Sequence, residues 1–242
     1  LGFDIGGTFT DFALIDEHRA EIHLHKCLTT PVDPAVGAMR GIDELLERVQ
    51  VRMADVGHLV HGTTLVTNAI IERKGANTGL ITTHGFRDVL AMGTEQRYDI
   101  HDLFLTYPEP LIPRRARIGI RERIDRDGTI VTPLDLTQLR HAAGRLVDMG
   151  ATSIAICFLH SYRNDTHERQ ARDVIAQMYP WLRISISSEV HRQLREYERT
   201  STTAANAYVR PLMADYVARL KASLAERGFK RSEEHTSELQ SP

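Results

Sequence analysis

The sequence predicts a mixed α/β fold. Short apolar runs at the amino end are separated by a glycine-rich turn, apolar residues recur at helical spacing further on, and strand, helix and strand then alternate along 242 residues. That length suits one large domain or two small ones. With 42% hydrophobic and 26% charged residues, the composition is close to the globular average. The longest apolar runs, such as Ile154 to Leu159, are too short to span a bilayer, so no membrane helix is expected.

Leu1 to Ile5 and Phe12 to Asp16 read as strands joined by a hairpin turn at Gly6 to Thr8. Glu21 to Leu28 alternates polar and apolar residues as a third strand, closed by Pro31. Asp33 caps a helix with Pro34 at its first position, and Val36, Met39, Ile42, Leu45, Leu46 and Val49 mark its apolar stripe. Gly57 to His61 forms the next strand, Gly62-Thr63-Thr64 leads into a helix reaching Lys74-Gly75, and Thr78 to Thr82 returns as a strand.

Residues 94–117, with Pro108, Pro110, Pro113 and the basic run Arg114-Arg115-Ala116-Arg117, read as a long irregular loop. Ile118 to Ile124 and Thr129 to Val131 flank a hairpin turn at Asp127-Gly128, with Arg121, Glu122, Arg123, Asp125 and Arg126 on its solvated face. A helix from Leu134 ends at Gly150, and Thr152 to Phe158 follows as a buried strand. Asn164 or Asp165 caps the next helix, Glu168 completing a capping box, before a parallel strand from Leu182 to Ile186. A final helix runs from Thr200 to Arg227, kinked at Pro211.

The stretch richest in chemistry is Asp4-Ile5-Gly6-Gly7-Thr8-Phe9-Thr10-Asp11. Amides at Gly6, Gly7 and Thr8 can converge on an anionic oxygen, and Thr8 and Thr10 add hydroxyls. Asp4 and Asp11 repel phosphate unless a divalent cation lies between, so the combination points to a magnesium nucleotide, against the alternative of an ordinary glycine turn. Neither G-x-x-x-x-G-K-[ST] nor G-x-G-x-x-G occurs.

His61-Gly62-Thr63-Thr64, at a strand end and helix start, is a second candidate anion site, with Asn68 one turn on; a simple helix cap is the competing reading. His23, His25, His58 and His61 are of metal-ligating type, but without suggestive acidic or thiol spacing they read better as hydrogen-bonded histidines. Arg199 and Glu198, before a hydroxyl-rich helix start, are candidates to project into a cleft and grip an anion. Cys27 and Cys157 sit far apart in apolar contexts, which favours buried thiols and a reducing, cytoplasmic compartment.

The chain opens on Leu1 in what reads as a core strand, so the natural start is expected upstream. Residues 231–242 break from the preceding helix, resemble a translated sequencing adapter, and are expected to be foreign. Without their one Arg and three Glu, basic and acidic residues are equal in number, which gives no support for binding nucleic acid or a membrane surface.

Taken in order, DIGGTFTD, HGTT with Asn68, Gly79 to Asp88, His160-Ser161-Tyr162, Arg195 to Thr203 and Asn206-Ala207-Tyr208 resemble the N-terminal region of the hydantoinase A, 5-oxoprolinase and acetone carboxylase family. The resemblance covers nearly all of residues 1–230. It implies the actin, sugar-kinase and chaperone type of ATPase fold, with a ribonuclease H-like lobe and a second α/β segment, in an incomplete part of a two-lobe subunit. Residues 1–190 correspond to the N-terminal domain and 191–230 to the start of the next.

By the same resemblance, Gly6, Gly7, Thr8 and Thr10 hold ATP phosphates, and Asp4 and Asp11 organise Mg²⁺, directly or through water. Asp4, Asp11 and Arg199 are the implied catalytic residues. His61, Gly62, Thr63, Thr64, Asn68 and Arg97 are implied as the substrate or second anion site. The implied activity is ATP-dependent opening of a cyclic amide of the 5-oxoproline or hydantoin type, in an oligomer with a hydantoinase B-type subunit or domain. Ketone carboxylation, metabolite phosphorylation and a non-catalytic actin-like switch are the alternatives.

Overall fold

The computed structural model describes residues 1–30, 33–94, 101, 104 and 106–230. It is mixed α/β, as expected. Its contacts divide it into two compact units, the first made of Leu1–Asn68 with residues 213–230, the second of Ala69–Leu212.

Unit 1 is built on a four-stranded sheet of β1 (Gly2–Ile5), β2 (Phe9–Asp16), β3 (Glu21–Leu28) and β4 (Val60–Thr63), in the order β3-β2-β1-β4. β1 to β3 are antiparallel neighbours, whereas β4 runs parallel to β1. The parallel return needs a crossover, which α1 (Pro34–Val49) supplies. The Asp33 carboxylate accepts from the Ala35 N–H at 3.1 Å, and Pro34 takes the first turn, as the sequence predicts. Ala38, Ile42 and Leu45 are fully buried together with Ile5 and Phe12 in one core. The strand expected at Gly57 to His61 forms later, at Val60–Thr63, where it is in register with Gly2–Ile5. α2 (Leu65–Ile71) follows it.

Unit 2 carries a parallel sheet in the order β10-β9-β5-β6, made of β5 (Thr78–Thr83), β6 (Arg117–Ile120), β9 (Ser153–Cys157) and β10 (Arg183–Ile186). Every residue of β5 and β9 is buried, the signature of central parallel strands. α3 (Val89–Met92), α4 (Leu136–Asp148), α5 (Thr166–Met178) and α6 (Ser187–Val190) lie along the connections. α7 (Glu196–Glu226) is one continuous helix with Pro211 inside it. Its Ala204 and Ala207 join the core of unit 2, and its Tyr216, Leu220 and Leu224 join that of unit 1.

Three local expectations are corrected. The segment Ile118 to Ile124 is not one strand, because β6 leaves the hairpin to pair with β5, and the hairpin consists of β7 (Arg123–Ile124) and β8 (Ile130–Thr132). Glu122, at that break, is not on a solvated face: it is buried and holds the Thr83 hydroxyl and the His167 ring, the latter at 2.8 Å. Glu168 completes no capping box, since it is fully buried and accepts from the Phe158 N–H, the Ser187 hydroxyl and the Ser188 N–H at 2.9, 2.6 and 2.8 Å. Asn164 takes over the cap, accepting from the Thr166 N–H at 3.0 Å.

Among the described residues, no helix is long and apolar enough to cross a membrane. Cys157 is buried and Cys27 half-buried, both as free thiols. The expected foreign tail, Pro31 and Arg97 lie outside the described residues.

Candidate functional site

The period of two along a strand decides which residues of the motif share a face. Asp4 on β1 lies directly opposite Asp11 on β2, and the same register sets Gly62 of β4 beside Asp4 and Lys26 of β3 beside Asp11. One row thus crosses all four strands: Gly62, Asp4, Asp11, Lys26. All four are exposed. The Lys26 ammonium is 2.9 Å from Asp11, whereas Asp4 has no cation within ion-pair distance among the described residues.

Gly62 has a positional reason to be glycine. A Cβ built there falls 2.9 Å from Asp4 Oδ1, so only a residue without one leaves the Asp4 carboxylate in place over the neighbouring strand.

The hairpin tip adjoins this row. Gly6 donates its N–H to the Phe9 carbonyl at 3.0 Å, which closes the turn and removes that amide from any ligand. The N–H groups of Gly7 and Thr8 meet no acceptor among the described residues. Thr29 braces the turn: its hydroxyl donates to the Gly6 carbonyl at 3.0 Å and its N–H to the Thr8 carbonyl at 2.9 Å. Asn68 stands close by, with Nδ2 3.5 Å from where a Gly7 Cβ would be and 3.3 Å from the Thr64 hydroxyl. Thr64 Oγ1 in turn donates to the Ile5 carbonyl at 3.3 Å, and Thr63 Oγ1 caps α2 by accepting from the Leu65 N–H at 3.1 Å.

Three expected site residues fall on the other face, Thr63 among them, in one row with Ile5 and Thr10. Thr10 alternates away from Asp11, is fully buried and shares a 2.9 Å hydrogen bond with Thr29. His61 alternates away from Gly62 and stacks on Phe3 at 4.5 Å between ring centroids. Its Nε2 pairs with the Tyr216 hydroxyl at 2.7 Å, while Nδ1 is buried without a partner among the described residues. Burial pushes the His61 imidazole below its usual range and the Tyr216 phenol above its own. His23 and His25 engage Glu21 and Glu44, at 3.4 and 2.8 Å.

Arg199 belongs to unit 2 and is 1% exposed, so it does not project as an open clamp. Its guanidinium donates to the Phe158 and Gln193 carbonyls at 2.8 and 3.3 Å and lies 5.5 Å from the Tyr162 ring centroid. No motif in the sequence marks Lys26 or Thr29, although the alternation of Glu21 to Leu28 sets Lys26 on one face with Leu24 and Leu28.

The residues present suit a magnesium nucleotide. No group of three or more His, Cys, Asp or Glu among the described residues is placed to hold a metal alone. Mg²⁺ is commonly held by one or two carboxylates with phosphate oxygens and water completing its shell, and the facing pair Asp4 and Asp11, beside two free amides, matches that division.

The family model for the hydantoinase/oxoprolinase N-terminal region matches residues 1–179. The caprolactamase subunit alpha of Pseudomonas jessenii is 37% identical over 94% of this chain and 34% of its own length. The crystal structure of that ATP-dependent caprolactamase superposes with a TM-score of 0.87 at 36% identity, over 96% of this chain and 34% of the other. A nucleotide-free acetone carboxylase structure gives a TM-score of 0.85 at 29% identity, over 94% and 34% of the two chains. 5-oxoprolinase 1 of Arabidopsis thaliana is 29% identical over 89% of this chain and 19% of its own. The chain therefore spans about a third of the caprolactamase subunit it matches. With an ordered motif set, a matching family model and a shared fold, this chain belongs to the hydantoinase/oxoprolinase N-terminal region family.

Proposed function

We propose that this chain is the nucleotide-binding front part of an ATP-dependent hydrolase that opens a cyclic amide of the 5-oxoproline or hydantoin type. The observation carrying this reading is the pair Asp4 and Asp11, opposite each other on an exposed sheet face beside the unpartnered Gly7 and Thr8 amides. Gly7 and Thr8 hold phosphate oxygens, Asp4 and Asp11 organise Mg²⁺, and Asn68 and Thr64 stand beside the turn. Mg-ATP, when bound, supplies the phosphoryl group that makes a resonance-stabilised amide carbonyl oxygen a leaving group.

The contribution of these residues is positioning and charge neutralisation, with no covalent nucleophile required of them. Lys26 screens Asp11 from its neighbour Asp4, and the Thr29 braces keep the turn in one conformation before ligand arrives. Thr10 and His61 support the fold beneath the site in this reading, and Arg199 supports the fold of unit 2. The relatives named as subunits support an enzyme of more than one subunit, and in this reading the partner is of the hydantoinase B type.

The acetone carboxylase likeness favours a second reading, in which the same nucleotide site serves ketone carboxylation. Assay of the full-length subunit with its partner separates the two. Free phosphate released with an opened ring supports the hydrolase, bicarbonate incorporation into a ketone supports the carboxylase, and a phosphorylated product rejects both in favour of a kinase. Asp11→Asn is expected to abolish substrate-dependent ATP hydrolysis while leaving the thermal transition in place; unchanged turnover rejects the assignment.

A further inference from the structure

A second charged feature lies wholly within unit 2. A pocket of about 410 Å³ elsewhere in that unit has Arg73 as its single cation among the described residues, but one of about 720 Å³ is lined by Arg87, Arg114, Arg115, Arg117 and Arg145, with Asp88 as its one carboxylate among them. Three separate stretches of chain deliver these cations. Arg87 follows β5, Arg114 to Arg117 lead into β6, and Arg145 sits in the last turn of α4.

Among the described residues, their charge is not balanced by carboxylates. Asp88 accepts both forks of Arg114 at 2.9 Å and lies 3.7 Å from Arg87. Arg115, Arg117 and Arg145 have no carboxylate within 4.0 Å among the described residues. Arg117 is the most telling: it is 4% exposed, its Nε donates to the Ile112 carbonyl at 2.8 Å, and its Nη1 is buried with no acceptor among the described residues. A guanidinium so desolvated and so poorly paired is costly in isolation. Burial accordingly lowers its affinity for its proton. Arg145 has an additional structural reason, since a cation suits a helix C-terminus, but neither Arg115 nor Arg117 shares it.

We propose that this pocket binds a small, multiply charged anion of the phosphate class, a diphosphate or triphosphate group, without a divalent cation. Its volume is that of a small-molecule site, and planar arginine forks grip tetrahedral oxyanions bidentately. The chemistry is opposite to that of the hairpin in unit 1, where flanking carboxylates demand a metal. Absence of metal therefore separates the two sites experimentally.

The test is a titration of the chain with inorganic pyrophosphate in excess chelator, followed by calorimetry and by amide shifts. Saturable binding below about 1 mM is expected, with shifts at His84 to Asp88 and Arg114 to Gly119, weakening as salt rises. Arg115→Gln combined with Arg145→Gln removes two exposed cations, lowers the thermal transition only slightly through the lost helix-end charge, and is expected to weaken binding by about tenfold or more. Arg52→Gln, on the surface of unit 1, is expected to change nothing. Lack of saturation, equal affinity in the double variant, shifts confined to Gly6 to Asp11, or tighter binding of citrate than of pyrophosphate would each overturn the proposal.

Discussion

Asp4 and Asp11 face each other across the first two strands because the hairpin register pairs them residue for residue, Gly2 with Ala13 through Ile5 with Thr10. A slip of β2 by one residue against β1 would turn Asp11 towards the core and Phe12 out to water, and the two carboxylates would no longer share a face. The ladder of His61, Phe3, Phe12 and His25 on the reverse face, buried at its two phenylalanines and with ring centroids 4.5 to 6.0 Å apart, fixes the register that presents the acids.

Gly62→Ala tests whether the Asp4 carboxylate must lie over β4. The new methyl meets Oδ1 at 2.9 Å, the far end of a flexible side chain, so the fold accommodates it while the carboxylate moves. Magnesium-nucleotide affinity is expected to fall about tenfold or more, with melting temperature nearly unchanged. Titration calorimetry and thermal denaturation read the two effects separately.

Gly41→Ala is expected to act on stability alone. In α1, a Cβ at this position lies 2.3 Å from Phe12 Cζ and 2.5 Å from Cε2, inside the packed core and against a rigid ring. Overpacking of this kind costs about 1–3 kcal/mol. Denaturant unfolding measures it, and a stability gain, as helix propensity alone would give, contradicts this packing.

Glu168→Ala removes the acceptor of two buried N–H groups and one hydroxyl in unit 2. Leaving buried donors unsatisfied costs about 1–3 kcal/mol each at most, so a loss on the order of 3 kcal/mol is expected. Glu189→Ala, whose partners Arg169 and Arg172 are on the surface, is expected to cost about 1 kcal/mol or less. Equal losses in the two variants would show that the buried network carries no special weight.

The lowered His61 proton affinity predicts a pH dependence of unit 1. Between the depressed folded value and the unfolded value near about 6.5, the unfolded chain binds more protons than the folded one, so stability rises with pH. It is therefore full above that unfolded value and is lost as pH falls through this window. His61→Phe keeps the stack on Phe3 but cannot titrate, and melting curves from about pH 5 to 7.5 should show a shallower acid decline. An identical decline assigns the effect to other groups.

Local patterns made much of this legible. The amide-rich turn, the three antiparallel strands and the Asp33-Pro34 helix start depend on neighbours in sequence, and each appears where the residues place it. Glu122 and Glu168 read as surface groups because charge alone implies water. Only distant partners, His167 and Thr83 for one and Ser187 and Ser188 for the other, make their burial possible.

The same division holds within the site. By itself, the sequence determined the hairpin, its two acids and the family pattern, since these rest on backbone preference and residue type. Only the tertiary structure decided that Thr10 and His61 turn to the core, that Lys26 and Gly62 join the acidic row, and that Arg199 is enclosed in unit 2. The reason is physical: which face a strand residue occupies depends on cross-strand register and on what packs beneath, and both are settled by residues far away along the chain.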